Sequence, residues 1–259
     1  MRFKINLHRP SNQRMLSFDY QYYISAWIYK VLQQADEDFA TFLHQQGYGN
    51  GNKHFKLFNY SPLYFGKPKL WKEKSLFEIT TNNVSLQVSF YLPDAAERFI
   101  VGLFNNQQVF IGDKFNGINF TVSQIERMPE PLLNETVHYK AFSPVVVSLN
   151  SDDKYATYLS PDYNDYALLL KNNLNQKINT LPNTQLPLTD FQFDWQLTGQ
   201  AKSKLITIKP GTPQQSKVRG YKYPFTLTAS PEIHQFILST GLGEKNSTGF
   251  GWCEVERII

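Results

Sequence analysis

The apolar residues follow two rhythms along the chain, and the order of those rhythms is repeated. Arg2 to Leu7 alternates with the two-residue period of a half-buried strand. From about Asp19 to Ala35 the period becomes helical, with Ile24, Trp27, Ile28, Val31 and Ala35 forming one stripe that must face a core. A shorter helix is predicted over about Asp38 to Gln46. The β-rich runs FKLFNYSPLYF and SLQVSFYL follow, and then Pro93 and Asp94 open a helix carrying Phe99, Ile100, Leu103 and Phe104. The run QVFIG closes this half as a strand.

The second half repeats the plan. VHYKAFSPVVVSL reads as a strand, Tyr163 to Ile178 as a helix, and DFQFDWQL, KLITIK and YPFTLTA as further strands. Ser230 and Pro231 start a helix with Ile233, Phe236 and Ile237 on one face, Gly241 stops it, and GFGWCEVERII supplies the last strand. Both halves thus run strand, helix, strands, helix, strand, which is the order of the split βαβ or ferredoxin-like unit shared by RNA-recognition domains. The expected fold is α+β, with two tandem ferredoxin-like (RRM-like) domains over residues 1–128 and 129–259. The segment RMPEPLLNE, with Pro129 and Pro131, marks the boundary.

Composition narrows the chemistry. The 259 residues are 41% hydrophobic and 15% aromatic, the mark of a globular chain, and no apolar run is long enough to span a bilayer. MRFKINLHRP alternates and meets Pro10, so it lacks the apolar core of a secretion signal, and a cytoplasmic protein is expected. One cysteine, Cys253, and five scattered histidines give no zinc-ligand spacing, so neither a metal nor a cofactor is expected. The net charge of +4 is modest, but its distribution is uneven. Between Asp194 and Glu232 there is no acidic residue, whereas Lys202, Lys204, Lys209, Lys217, Arg219 and Lys222 all occur. If these share a face, phosphate is the matching partner; the alternative is a solvated strand pair neutralised from elsewhere.

The segment GLGEKNSTGFG adds a sharper signal. Its glycines, Gly241, Gly243, Gly249 and Gly251, form two G-apolar-G units around five residues that include Lys245, Asn246 and Ser247. Glycine admits positive φ and close backbone approach, free N–H groups in such a turn hold phosphate oxygens, and Lys245 adds charge. The P-loop spacing is absent. Nor is this a dinucleotide fingerprint, because the segment follows a helix and leads into a strand. A mere chain reversal would need fewer glycines and no lysine.

With these motifs the chain resembles the CRISPR-associated endoribonucleases that cut precursor CRISPR RNA within its repeats, part of the repeat-associated RNA-binding superfamily. The diagnostic loop of that family, G-apolar-G, five residues with a Lys or Arg, then G-apolar-G, is matched from Gly241 to Gly251. IKPGTPQQSKVRGYKYPFTLTASPE, QYYISAWIYKVL, FATFLH and FKLFNYSPL extend the resemblance over nearly the whole chain. It implies two tandem ferredoxin-like domains and a metal-independent cleavage. A histidine after the first helix, a tyrosine in that helix and a downstream lysine would be catalytic, and these fall on His44, Tyr29 and Lys56. The RNA would be held by Lys209, Lys217 and Arg219 together with Gly241, Gly243, Lys245, Asn246, Ser247, Gly249 and Gly251.

Such a reaction uses the substrate's 2′-hydroxyl as nucleophile and needs a base, an acid and cationic support. Histidine suits both proton roles, its reference pKa of about 6.5 lying near neutrality. At about 100° per residue Tyr29 points away from the Ile24 stripe, and His44 away from the face of Phe39 and Leu43, so neither is expected in the core. The insertion GYGNGN brings His54 close to Lys56 and makes it a rival proton carrier. His8, His138 and His234 are read as structural. Two other classes compete: a non-catalytic subunit that holds guide RNA in an effector complex, and a ferredoxin-like adaptor unrelated to RNA. CRISPR repeat RNA is the expected partner, an effector complex and a homodimer are the further partners left open, and no membrane is expected.

Overall fold

The structure is a computed structural model that describes residues 1–10, 12–49, 53–150, 156–181, 186 and 191–258. Part of the GYGNGN insertion therefore lies outside the described residues. The first half contains β1 (Arg2–His8), β2 (Met15–Ser17), α1 (Gln21–Ala35), α2 (Glu37–Gln45), β3 (Phe58–Tyr60), β4 (Lys69–Trp71), β5 (Leu76–Glu78), β6 (Asn83–Phe90), α3 (Pro93–Asn105), β7 (Gln108–Gly112) and β8 (Gly117–Arg127). The second contains β9 (Thr136–Ala141), β10 (Ser148–Asn150), β11 (Ala156–Tyr158), α4 (Tyr166–Ile178), β12 (Asp194–Leu197), β13 (Lys202–Ile208), β14 (Ser216–Lys222), β15 (Pro224–Thr228), α5 (Pro231–Thr240) and β16 (Cys253–Ile258).

The two main sheets have one topology. Antiparallel strands run β3-β6-β1-β8 in the first half, with β7 added beside β8, and β12-β15-β9-β16 in the second. In each, the first strand is central, flanked by the third and fourth, with the second strand beyond the third. These are two ferredoxin-like units of an α+β fold. β1 alternates as its sequence dictates: Phe3, Ile5 and Leu7 are buried against the helices, while Lys4 and Asn6 face the other way. The α1 stripe of Ile24, Trp27, Ile28 and Val31 completes that core, each such buried side chain contributing roughly 1.5–3 kcal/mol. Val137, Tyr139, Leu170, Leu174, Phe225 and Phe236 build the second core.

Arg2 locks the halves together. Its guanidinium lies 4.1 Å from the ring centre of buried Trp252 and donates to the Leu238 carbonyl at 3.1 Å. Tyr64 stacks on Phe142 at 5.2 Å across the same seam.

Several expected elements are redrawn. The first helix starts at Gln21, not Asp19, because the Asp19 carboxylate instead accepts from the Thr207 N–H at 3.0 Å. Only Phe58–Tyr60 of FKLFNYSPLYF is strand. The closing element of the first half is β8, an eleven-residue strand that pairs with β1, and QVFIG is the added edge strand before it. VHYKAFSPVVVSL divides into β9 and β10, and KLITIK does not join the domain sheet. It pairs with β14 in a separate ribbon inserted between the second and third strands of the unit. A small sheet, β2-β5-β4, had no expectation at all.

Candidate active site

The glycine-rich segment leaves α5 and crosses to the other half. Its ends are anchored by Leu242 and Phe250, both fully buried. Leu242 N–H donates to Gly251 O at 2.9 Å, and Gly251 N–H to Pro144 O at 2.8 Å, so the two G-apolar-G units pair with each other at the neck. At Gly251, φ is +74° and a Cβ would stand 1.9 Å from the Leu242 carbonyl; no other residue fits. The side chain of Asn246, also buried, donates to Leu242 O at 3.1 Å and Phe250 O at 3.0 Å and holds the arch from within.

Two further clamps fix the loop. From α4, the buried Lys177 ammonium donates to the carbonyls of Gly241 and Gly243, both at 2.8 Å, while burial pulls its pKa down to about 7. From α1, Ser25 donates to Ser247 O at 2.7 Å and Gln21 to Gly249 O at 3.2 Å. Gly249 lies against the Tyr60 ring, where a Cβ would come within 3.0 Å. The Glu244 carboxylate accepts from the Ser148 N–H and hydroxyl. Lys245 is left exposed, and its φ of +58° is a left-handed conformation that costs a non-glycine residue about 1 kcal/mol.

The three candidate catalytic side chains meet beside this arch. The Tyr29 ring stands edge-on to the His44 ring, 4.9 Å between centres, and edge-on to Phe58 at 5.7 Å. Burial pushes its hydroxyl pKa up to about 12, against the smaller, opposite influence of the neighbouring Ser247 side chain. Tyr29 is thus a neutral donor at physiological pH. Lys56 donates to the His44 carbonyl at 3.0 Å, at the end of α2, and partial burial pulls its pKa down to about 8. Gly47, with φ +70°, allows this reach, since a Cβ there would lie 2.8 Å from Lys56 Cδ. His44 is exposed in the last turn of α2.

A cavity of about 590 Å³ opens at this junction, lined by His54, Lys56, Lys177, Lys245 and Ser247 among others. A second recess lies on the other side of the arch, between Lys245, Ser247 and the β13–β14 turn that carries Lys209. Lys209 is also exposed and left-handed, φ +52°. The ribbon register divides the basic run between two faces. Lys217 and Arg219 pair with Thr207 and Leu205 on the outward side. Lys202, Lys204 and Lys222 belong to the side of buried Ile206 and Val218, where burial lowers the pKa of Lys204 and Lys222.

Sequence reasoning located Tyr29, His44, Lys56 and the loop, and the fold brings them together; Lys217 and Arg219 lie farther along the ribbon. The four loop glycines are all buried, so they shape the arch from inside. Tyr29 is half-buried, contrary to its position off the helical stripe, because it packs at the edge of the first core against Phe58 and His44. Sequence reasoning missed Gln21, Ser25, Gly47 and Lys177. A signal for two of them existed: Gln21 and Ser25 are polar residues four apart, next to the apolar stripe, and a buried polar pair needs partners. Of the remaining histidines, His234 is buried between Tyr139 and the Glu135 carbonyl, and His138 contacts Thr226. Among the described residues no three His, Cys, Asp or Glu side chains gather as a metal-binding group, and no helix is long and apolar enough to cross a membrane.

The chain is 25% identical over 258 residues to the CRISPR-associated endoribonuclease Cas6 of Pyrococcus furiosus, covering 99% of this chain and 90% of the relative. It is 26% identical over 254 residues to CRISPR-associated endoribonuclease Cas6 1 of Methanocaldococcus jannaschii, covering 97% and 91%. Among solved structures, the product of a Cas6-related gene from Pyrococcus furiosus superposes with a TM-score of 0.80 at 21% identity over 99% of both chains. A protein described as a RAMP protein binding different RNA substrates superposes equally well, at 21% identity, over 99% of this chain and 100% of the other. Residues 15–126 match the family model for the N-terminal part of CRISPR-associated protein Cas6, and residues 126–255 match that for its C-terminal part. The chain belongs to the Cas6 family of CRISPR-associated proteins.

Proposed function

We propose that this chain is an endoribonuclease that cuts precursor CRISPR RNA within its repeats, at the junction of α1, α2 and the glycine-rich arch. The observation that carries this reading is the convergence of Tyr29, His44 and Lys56 from the first half on Ser247 and Lys245 of the second. The names of both curated relatives specify endoribonuclease activity, which disfavours a purely RNA-holding subunit.

The reaction follows from the groups present. The substrate 2′-hydroxyl attacks the adjacent phosphorus, the P–O5′ bond breaks, and a 2′,3′-cyclic phosphate and a 5′-hydroxyl remain. His44 exchanges the proton, as base toward the 2′-hydroxyl or acid toward O5′, and the Tyr29 ring fixes its imidazole. Tyr29, protonated and beside Ser247, orients the phosphate or 2′-hydroxyl. Lys56 supplies positive charge to the phosphorane-like transition state. His54, on the same cavity wall, is the second candidate proton carrier.

Lys245 and Ser247 hold the RNA backbone, and Asn246 contributes by keeping the arch in shape. Lys209, Lys217 and Arg219 extend the contact along the ribbon. The division into domains 1–128 and 129–259 then separates the proton-transfer groups from the principal RNA loop. The same reading puts the protein in the cytoplasm, with an effector complex and a second copy of the chain as its further partners, distinguishable by size-exclusion chromatography with and without repeat RNA.

Cleavage of an end-labelled CRISPR repeat in EDTA tests the mechanism. Cutting is expected to persist and to yield cyclic phosphate ends. Full dependence on added divalent ions, or unchanged cutting by His44→Ala, His54→Ala and the double variant, would refute it.

A further inference from the structure

In-line attack by a 2′-hydroxyl requires the attacking oxygen, phosphorus and O5′ to lie nearly on a line. The stacked geometry of an RNA helix does not provide this, so at least one nucleotide flanking the scissile phosphate must leave its stack. An unstacked base needs an apolar surface for its ring and polar groups for its edge.

The cavity beside the catalytic candidates offers both. It runs from His54 and Lys56 past Phe55 to the outward side of α4, where Leu169, Asn172, Asn173 and Gln176 line it. Its 590 Å³ falls within the roughly 300–1,000 Å³ of small-molecule sites. Phe55 and Leu169 supply apolar surface. The wall also contains an unsatisfied acceptor: Asn173 Oδ1 is shielded from solvent and has no hydrogen-bond partner. Such groups are uncommon in folded proteins, and one lining an open cavity is a place where a ligand donor would be favoured. Gln176 is held in place by Lys53, whose ammonium donates to its Oε1 at 2.9 Å.

We propose that this cavity receives the unstacked nucleobase next to the cleaved phosphodiester, and that Asn173, supported by Asn172 and Gln176, reads its edge. An acceptor at Asn173 matches a donor on the base edge, either the exocyclic amino group of adenine, guanine or cytosine or the ring N–H of guanine or uracil. α4 is thereby a specificity element of the cleavage site, distinct from the arch that holds the backbone. The inference rests on the RNA-processing reading above.

The test is a scan of repeat RNAs, each with one abasic residue, measured for affinity and single-turnover cleavage with the full chain and with Asn173→Leu. At one position beside the cut, the abasic RNA is expected to react at least tenfold more slowly with the native protein. Asn173→Leu is expected to cost at least fivefold on intact RNA and almost nothing further on that abasic RNA. Asn173→Asp, which keeps the shape and the acceptor, guards against misfolding and should retain the dependence on the base at that position that Asn173→Leu loses. Additive losses at every position, with cutting intact, would overturn the base pocket and leave the nuclease reading standing. Coupling seen in affinity without any cutting would support the pocket and overturn the nuclease reading.

Discussion

The two halves share one topology, yet the connection between second helix and fourth strand differs completely between them. In the first half α3 leads into the β7 hairpin, which alternates Val109 and Ile111 inward and extends the sheet by one strand. In the second half α5 leads into GLGEKNSTGFG, which cannot alternate, leaves the sheet and docks on α1 of the other half. The fold supplies the same opening twice. Local residue pattern decides whether it is filled by strand pairing or by an arch, and the arch reaches Tyr29 only because the first half presents Ser25 and Gln21 to it.

The strongest challenge to this division of labour is His44→Ala. It is expected to slow cleavage by about 10²–10⁴-fold while leaving repeat affinity within about threefold, measured by single-turnover kinetics and filter binding. An equal loss of affinity would mean that the first half also carries the principal binding contacts.

Next in size is a pair of glycines at equivalent places. Gly251→Ala forces a Cβ into the Leu242 carbonyl at positive φ and should cost roughly 2–4 kcal/mol in denaturant unfolding, with loss of RNA binding. In Gly117→Ala, in the β7–β8 hairpin, the new Cβ clashes chiefly with the far end of the half-exposed Phe110 ring, which can swing away, and stands 3.2 Å from the Asp113 carbonyl. Its cost should stay below about 1 kcal/mol. Similar costs at both positions would erase the distinction between arch and hairpin.

The third concerns pH. The Lys56 pKa, lowered by burial to about 8, means that the cation is fully present below that value and is lost as pH rises through it. Cleavage should therefore fall by about tenfold per pH unit well above pH 8, and Lys56→Arg, which stays charged, should remove the alkaline fall while retaining measurable activity. A fall with the same midpoint in Lys56→Arg would assign it to another group.

The smallest effect is at Lys245. Lys245→Gly removes the charge and relieves the left-handed conformation, so stability should change by less than about 0.5 kcal/mol. Repeat affinity should drop severalfold, with a shallower salt dependence. An unchanged salt slope would mean that Lys245 touches no phosphate.

Much was legible in the chain itself. The repeated order of strand and helix periods gave two ferredoxin-like units, because burial of one face imposes those periods locally. The paired glycine motif stood out for the same local reason: several positive-φ positions and close approaches demand glycine in the sequence. β8, by contrast, was missed although Ile118, Phe120 and Val122 alternate with Asn119, Thr121 and Ser123 as a half-buried strand requires. KLITIK looked like any other strand, since period does not tell which strand will be its neighbour.

What the sequence could not determine is what depends on contacts between elements distant along the chain. Helical geometry turned Tyr29 off the apolar stripe, but Phe58 and His44 from other elements pack against its ring, and burial raises its pKa. Six cations in one run divided between two faces according to the register of a ribbon. Lys177, an ordinary helical lysine in the sequence, became a buried clamp on the arch. Backbone preferences and amphipathic periods are properties of neighbours along the chain, so the sequence determined the elements and the arch. Desolvation and hydrogen-bond partners are set by neighbours in space, so only the tertiary structure decided which side chains form the site and in what protonation state they stand.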